Sequence, residues 1–360
     1  MTLNSRMRPL LGLAIFFVAV FLFGRYVAEQ DDTRNPFYVR FEIFGTFGEM
    51  ILYHDREQAE TAAEEVLGTL QELHNRFNVF NPESELSRLN ARAYQQPVPC
   101  SEPLWEVLQH ARRGHRLTGG AFDVTVGPLM HLWGFHGRRG EWPTEAEIAQ
   151  VRQAVGLGTL LFEAGGRTVR FTHPQTRIDL GGIAKGYALD CAAEILDRHK
   201  IRKGLINLGG NIRALAPPQG GRSAYRIGVR NPAAPDAVLG RIALANACVA
   251  TSGGYENYRR FEDKTVSHVI DPRTAAPVTE RVGVSVVTPR GVDSDMFSTA
   301  VLVGGAPVAH KLASTIPETR MLVTKVGEDG EHHHVKVGWQ WAPDASETWL
   351  QKLWRSVKNL

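Results

Sequence analysis

Cysteine is scarce. Three occur in 360 residues, Cys100, Cys191 and Cys248, and no Cys-x-x-Cys spacing is present. That excludes a disulfide-framework fold and a thiolate metal cluster, and leaves room for at most one disulfide; three small buried apolar side chains is the simpler reading. Charge of one sign is also lacking. The 41 basic and 38 acidic residues give a net charge of +3, and no basic stripe interleaved with aromatics runs through any segment, so a nucleic-acid groove is excluded. There is no internal repeat, no low-complexity tract and no long linker, so a solenoid or a disordered scaffold is excluded as well.

No apolar run reaches the roughly 20 residues of a full membrane span. The longest is the 15-residue stretch 10–24, preceded by Arg6 and Arg8 and closed by Arg25. A positive segment before an apolar one reads as a secretory signal or signal anchor. Residues 26–28 extend the run if Arg25 snorkels to the interface, and neither an A-x-A site nor a lipidatable Cys follows. The expectation is an uncleaved anchor over residues 1–30 with its basic end in the cytoplasm, a cleaved signal peptide being the alternative. Residues 31–360 then form a domain on the far side of the inner membrane, facing the periplasm. With 43% hydrophobic and 22% charged residues, that part is ordinary globular protein.

Periodicity supplies the elements. Alternation over 37–53, with Gly45 and Gly48, reads as a strand or hairpin. Apolar residues at 59, 63, 66, 70, 73 and 77 give a helix over 56–77. Ser84 caps a short helix carrying Leu86 and Leu89, 103–118 is a helix stopped by Gly119-Gly120, and Thr144 with Glu147 forms a capping box for a helix over 144–155. Two short strands are expected within 168–180, a long amphipathic helix over 185–199, and strands at 204–208, 225–229, 241–251 and 282–288. A helix begins at 295–303, strand-like runs follow at 321–326 and 334–339, and a last helix lies near 347–357. Mixed elements without regular βαβ alternation make the fold class α+β.

Four segments carry chemistry. In 178–186 a strand ends at Leu180, Gly181-Gly182 turns the chain, and a helix opens near Lys185. Glycines admit close backbone approach and a helix N-terminus offers N–H groups to phosphate, although a plain strand–helix turn with a solvated lysine has the same signature. In 294–299, Asp295 and Thr299 lie four apart on one helical face, and a carboxylate with a hydroxyl are hard oxygen donors for Mg²⁺; Ser298 adds a further oxygen. An Asp N-cap is the structural alternative. His268 lies in a strand that stops at Asp271-Pro272, where an imidazole acts as base or phosphate partner, or simply satisfies its hydrogen bonds in a sheet. Segment 119–135 sets Asp123 and the aromatics Trp133 and Phe135 among tight glycine turns, as a nucleoside grip or a packed corner. His332-His333-His334 alternates faces on a strand, so the three cannot all grip one metal.

Taken together and in order, these segments resemble the ApbE family of FAD:protein FMN transferases. The matching stretches are Phe44-Gly45-Thr46, FNVFNPESELSRLN (77–90), GAFDVTVGPL (120–129), DLGGIAKGYALD (179–190), NLGGNI (207–212), TSGGYE (251–256), HVIDPRT (268–274) and SDMFSTA (294–300). The resemblance spans roughly residues 40 to 305 and implies an ApbE-like mixed α/β fold. It implies that FAD, as substrate, lies near Phe44, Phe80, Ala121, Phe122, Asp123 and Ile270, and contacts Asp179 and Lys185. It implies Mg²⁺ held by the carbonyl of Gly182, by Asp295 and by Thr299, with Ser298 standing where some relatives carry Asp. His268 is the implied activator of an acceptor Thr or Ser hydroxyl. The implied reaction attaches FMN to that hydroxyl through a phosphoester bond and releases AMP. The implied partners are acceptor flavoprotein subunits of extracytoplasmic redox complexes. Two other outcomes stay open on sequence alone: an FAD pyrophosphatase using water as acceptor, and a non-catalytic flavin-binding envelope protein.

Overall fold

A computed structural model describes residues 35–342, apart from 138, 219–222, 235, 255–257, 262–263, 280–281 and 328–329. The expected anchor over 1–30 and the expected last helix near 347–357 lie outside the described residues. Within them, no helix is long and apolar enough to cross a membrane.

The chain opens with strands β1 (Phe37–Ile43) and β2 (Thr46–Leu52), then helices α1 (Arg56–Phe77), α2 (Glu85–Arg92) and, after strand β3 (Val98–Pro99), α3 (Glu102–Thr118). Short helices α4 (Gly127–Leu132) and α5 (Glu145–Arg152) precede strands β4 (Leu160–Glu163) and β5 (Thr168–Phe171). Helix α6 (Ala184–Arg198) leads to β6 (Gly204–Leu208), β7 (Asn211–Ala214), β8 (Tyr225–Arg230), β9 (Val238–Leu244), β10 (Ala247–Gly253), β11 (Tyr258–Phe261), β12 (Lys264–Ser267) and β13 (Val282–Thr288). Helix α7 (Gly291–Thr315) and strands β14 (Arg320–Val326) and β15 (His332–Val337) complete the described chain.

The centre is an eight-stranded sheet in the order β1-β2-β6-β7-β10-β13-β14-β15, with antiparallel neighbours throughout. One face is covered by α6 and α7, whose buried side chains join Val284 and Val286 of β13 in the main core. The other face is covered by the β8–β9 hairpin, which packs Val229, Ile242 and Leu244 onto Ala214, Val249, Val287 and Leu322. Covered on both sides, β13 is buried at all seven positions and shows no alternation, as a sandwiched strand must. The α+β class holds.

Local signals place most elements where the pattern expects them. Helix α1 spans 56–77 with Asp55 accepting from Gln58 N–H, Ser84 caps α2, and Thr144 and Glu147 form the capping box of α5. The last ends at Arg152 rather than 155. Three expectations are corrected. The run 241–251 is not one strand: Asn246 turns left-handed (φ 49°), so β9 pairs with β8 and β10 joins the main sheet. Asn tolerates that conformation better than most residues. Only one strand, β5, lies within 168–180, and its partner β4 precedes it. Residues beyond Phe171 run outside any sheet, and at Ile178 the Asn90 side chain takes the place of a strand partner. Its side-chain amide donates to Ile178 O at 2.9 Å and its carbonyl oxygen accepts from Ile178 N–H at 2.7 Å. Finally, α7 starts at Gly291, one turn before Asp295.

All three cysteines are free thiols, and burial pushes each up to about 12, so none is a thiolate near neutral pH.

Helices α6 and α7 cross at a pair of glycines. A Cβ on Gly186 would strike the Gly291 carbonyl oxygen and lie 2.6 Å from Asp295 Cβ. Crowding a packed interior typically costs about 1–3 kcal/mol. Gly186→Ala is therefore expected to lower the thermal midpoint by several degrees, about 2–4 °C per kcal/mol for a domain of this size. Calorimetry on the variant checks this; an unchanged midpoint would show that the crossing has slack.

Candidate active site

Each helix of the crossing caps the other. Asp190 of α6 accepts the N–H groups of Gly291 and Val292 at 2.6 and 3.0 Å, opening α7. Asp295 Oδ2 of α7 accepts the Gly186 N–H of α6 at 2.8 Å. Asp295 is thus not an N-cap of its own helix, whose N-cap is Arg290. Burial raises the Asp190 carboxyl above its ordinary range, against the pull of its two N–H donors and of Arg290.

The crossing closes the floor of a cleft of about 620 Å³. Phe44, Phe80, Ala121, Phe122, Asp123, Asp179, Gly182, Lys185, His268, Ile270, Asp295 and Thr299 all line it. Of the thirteen residues singled out in the sequence, Ser298 alone does not. Its hydroxyl lies 2.8 Å from Ser252 Oγ of β10 and donates to Asp295 O at 2.9 Å, tying α7 to the sheet behind the cleft.

At the floor, Gly181 N–H donates to Asp179 Oδ1 at 2.6 Å, and the turn 181–183 runs into α6. A Cβ on Gly182 would sit 3.2 Å from the Phe122 ring and 3.3 Å from Thr299 Oγ1. Glycine is therefore what lets the backbone come down beside Thr299. The donor set fits a hard divalent cation: one carboxylate, one hydroxyl and the backbone of Gly182. No three His, Cys, Asp or Glu side chains gather to hold a metal among the described residues. A cation here would draw its remaining ligands from a phosphorylated substrate and water, as Mg²⁺ commonly does.

On one wall, Asp123 Oδ1 accepts from Thr125 N–H and Oγ1–H at 2.8 and 2.6 Å, and Oδ2 lies 2.9 Å from His115 Nδ1. Asp123 is fixed by its own neighbourhood. Opposite, His136 Nε2 stands 2.8 Å from Asp179 Oδ2. Burial works to raise the Asp179 carboxyl, but His136, the Gly181 N–H and the charge of His268 outweigh it and hold the group below its ordinary value. A lowered value means that the stabilisation Asp179 contributes is full above the ordinary carboxylate range and is lost as acid protonates it. At neutral pH the side chain is an anion.

At the mouth stand Phe80 and Tyr258, 72% and 64% exposed. Phe44 is held at φ 51° in the two-residue loop between β1 and β2. His268 is half-buried and follows β12 rather than lying within it, because pairing with β11 ends at Ser267. It meets the edge of Phe135 at 6.4 Å between ring centroids. His115, His136 and Tyr258 are site residues that no sequence pattern assigned, and Ser252 fell within a matched stretch without a role. For the two histidines the available signal was an imidazole beside the glycine turns 119–120 and 134–137.

Such a cleft, with a glycine turn at a helix N-terminus, a lysine beside it and a carboxylate–hydroxyl pair across it, has the donor types that suit a diphosphate with a hard cation, and many classes of protein share them. Comparison narrows the class. The ApbE family model matches residues 44–323, and the chain belongs to the ApbE family. The FAD:protein FMN transferase of Vibrio cholerae is 32% identical over 275 residues, 75% of this chain and 81% of its own length. That of Haemophilus influenzae is 31% identical over 263 residues, 71% and 76% of the two chains. Among solved structures, the ApbE protein of Thermotoga maritima superposes with a TM-score of 0.75 at 29% identity, covering 83% of this chain and 96% of its own. The flavin transferase ApbE of Vibrio cholerae gives 0.73 at 29%, covering 84% and 97%.

Proposed function

We propose that the chain is a Mg²⁺-dependent FAD:protein FMN transferase that joins FMN to a Thr or Ser hydroxyl of an acceptor flavoprotein and releases AMP. One observation carries the reading: the Gly181-Gly182 turn and the Asp295–Thr299 face of α7 meet on the floor of one cleft, beside Lys185 and His268. Family membership and the names of the curated relatives support the same activity.

In this mechanism the FAD diphosphate lies over the start of α6, where backbone N–H groups and Lys185 favour negative charge. Phe44 and Phe80 offer ring faces to the flanking ring systems, and Ala121, Phe122 and Ile270 give an apolar wall. Asp295, Thr299 and the Gly182 carbonyl would hold Mg²⁺, which when bound neutralises charge building on the diphosphate. His268 accepts the proton of the acceptor hydroxyl as its oxygen bonds to the FMN phosphorus. The bond from that phosphorus to the bridging oxygen breaks, and AMP departs with the bridging oxygen. Asp179 receives donors from the substrate while His136 holds its Oδ2.

The apolar run 10–24, after Arg6 and Arg8, supports placing the catalytic domain on the periplasmic side of the inner membrane. Acceptor subunits of extracytoplasmic redox complexes would meet it there. The experiment is incubation of the protein with FAD, Mg²⁺ and a purified acceptor, followed by mass spectrometry of the acceptor and quantitation of AMP. Equal amounts of protein-bound FMN and AMP are expected. AMP with free FMN alone would assign a pyrophosphatase, and FAD binding without AMP release would assign a flavin-binding protein.

A further inference from the structure

A short loop pushes two side chains into the cleft. Gly134 and Gly137 bound it, both left-handed with φ 73° and 125°. Between them, Phe135 and His136 project inward, and both line the cleft. The backbone of this finger is held independently of those side chains. Phe135 N–H and His136 N–H both donate to Met130 O, at 2.8 and 3.1 Å, and Arg259 donates to Gly137 O at 2.9 Å. His131 Nδ1 lies 2.8 Å from His136 O, and at the base of the finger the Trp133 indole N–H donates to Ala275 O at 3.0 Å. A finger anchored this way has a fixed reach.

Its tip touches two parts of the machinery at once. Phe135 meets His268 edge to face. His136 places Nε2 2.8 Å from Asp179 Oδ2 and meets the Phe80 ring at 5.2 Å and 81°. Asp179 gives its other oxygen to Gly181 N–H, one residue before Gly182. With a single partner, a carboxylate can rotate about its Cβ–Cγ bond; with a partner on each oxygen its plane is set. The imidazole stands on the oxygen not bonded to Gly181, so both oxygens of the carboxylate have a partner.

We propose that His136 is a positioning residue that fixes Asp179, and through it the Gly181-Gly182 turn, in the orientation that receives FAD. The proposal rests on the FAD-binding reading of the cleft. It separates His136 from His268: one orients the substrate's seat, the other faces the acceptor.

The test is a double-mutant cycle read by FAD affinity, from quenching of flavin fluorescence, and by kcat for AMP release. A hydrogen bond to a charged group is worth about 1.5–3 kcal/mol. His136→Phe keeps a ring against Phe80 and removes the nitrogen, so it should weaken FAD binding about tenfold or more, with kcat at saturating FAD within about threefold of wild type. His136→Gln, which returns an N–H at similar reach, should recover most of the lost affinity. Asp179→Asn should weaken binding comparably, and His136→Phe in that background should add little, because the partner is already gone. His136→Leu run in parallel covers the case in which Phe does not fold, and thermal midpoints of all variants identify any loss that is merely structural. The proposal falls if the two losses multiply in the double variant, or if His136→Phe and His136→Leu bind FAD like wild type. Failure of the transferase reading would look different: wild type would release no AMP, while the affinity cycle would still report on His136.

Discussion

Asp295→Ala should reduce covalent FMN transfer by about 10³-fold, several kcal/mol of charge stabilisation. The carboxylate has two functions that the structure separates. One oxygen accepts the Gly186 N–H and so completes the first turn of α6. The side chain as a whole faces Gly182 and Thr299 across the cleft floor and is the carboxylate of the proposed cation site. Alanine removes both. Asparagine keeps an oxygen for Gly186 N–H but removes the charge, so Asp295→Asn should unfold close to the wild-type midpoint while transfer remains low. Chelation of divalent cations from wild-type protein should reproduce the activity loss without the stability loss. Mass spectrometry of the acceptor measures the first effect and calorimetry the second. Transfer by Asp295→Ala within about tenfold of wild type would remove the basis for a cation at this place.

What could be read from the sequence follows from where each signal resides. Helices α1, α2 and α5 are marked by their own caps and by a one-sided apolar period, and these are local properties. The Gly181-Gly182 turn is marked by glycines whose freedom is needed at that spot. The start of α7 is different. The helix is buried around much of its circumference, from Val292, Asp293 and Ser294 through Phe297 and Ser298, so no polar stripe shows its phase. Its cap comes from Asp190, about a hundred residues earlier. Asp295 therefore looked like a helix opening when it lies a turn inside. The same holds for the site residues that were missed. His136 matters because of Asp179, and Ser252 because of Ser298; neither pairing leaves a trace in sequence spacing. The break at Asn246 was missed although Asn is a turn former, because the Val- and Ala-rich run around it reads as one continuous strand.

The reciprocal capping of α6 and α7 also fixes the two sides of the cleft floor against each other. Asp190 and Asp295 each close the other helix, and Gly186 and Gly291 let them approach. The start of α6 and the oxygen donors of α7 are thus set by one rigid contact instead of by two independent loops. Preorganisation of that kind lets a small donor set act without reorganising when charge develops.

His268→Ala should lower the transfer rate by about 10²–10⁴-fold, the range in which a positioned general base contributes, while FAD affinity stays within about threefold of wild type. The asymmetry follows from its place. His268 stands just past the end of the β11–β12 pairing, half-buried at the cleft, with Phe135 against its ring. The proposed cation ligands and Lys185 lie on the floor, on α6, on the turn before it and on α7. A side chain on a separate element is suited to act on the acceptor hydroxyl without disturbing the seat proposed for FAD. Wild-type transfer should rise with pH through a single ionisation that the variant no longer shows, and free imidazole added to the variant should restore part of the rate by occupying the space left. A pH–rate series with saturating FAD, in both proteins, is the measurement. If the variant transferred FMN within about threefold of wild type with the same pH dependence, proton removal would belong to another group. His136 would be the next to test, since its imidazole is the other one that lines the cleft beside Asp179.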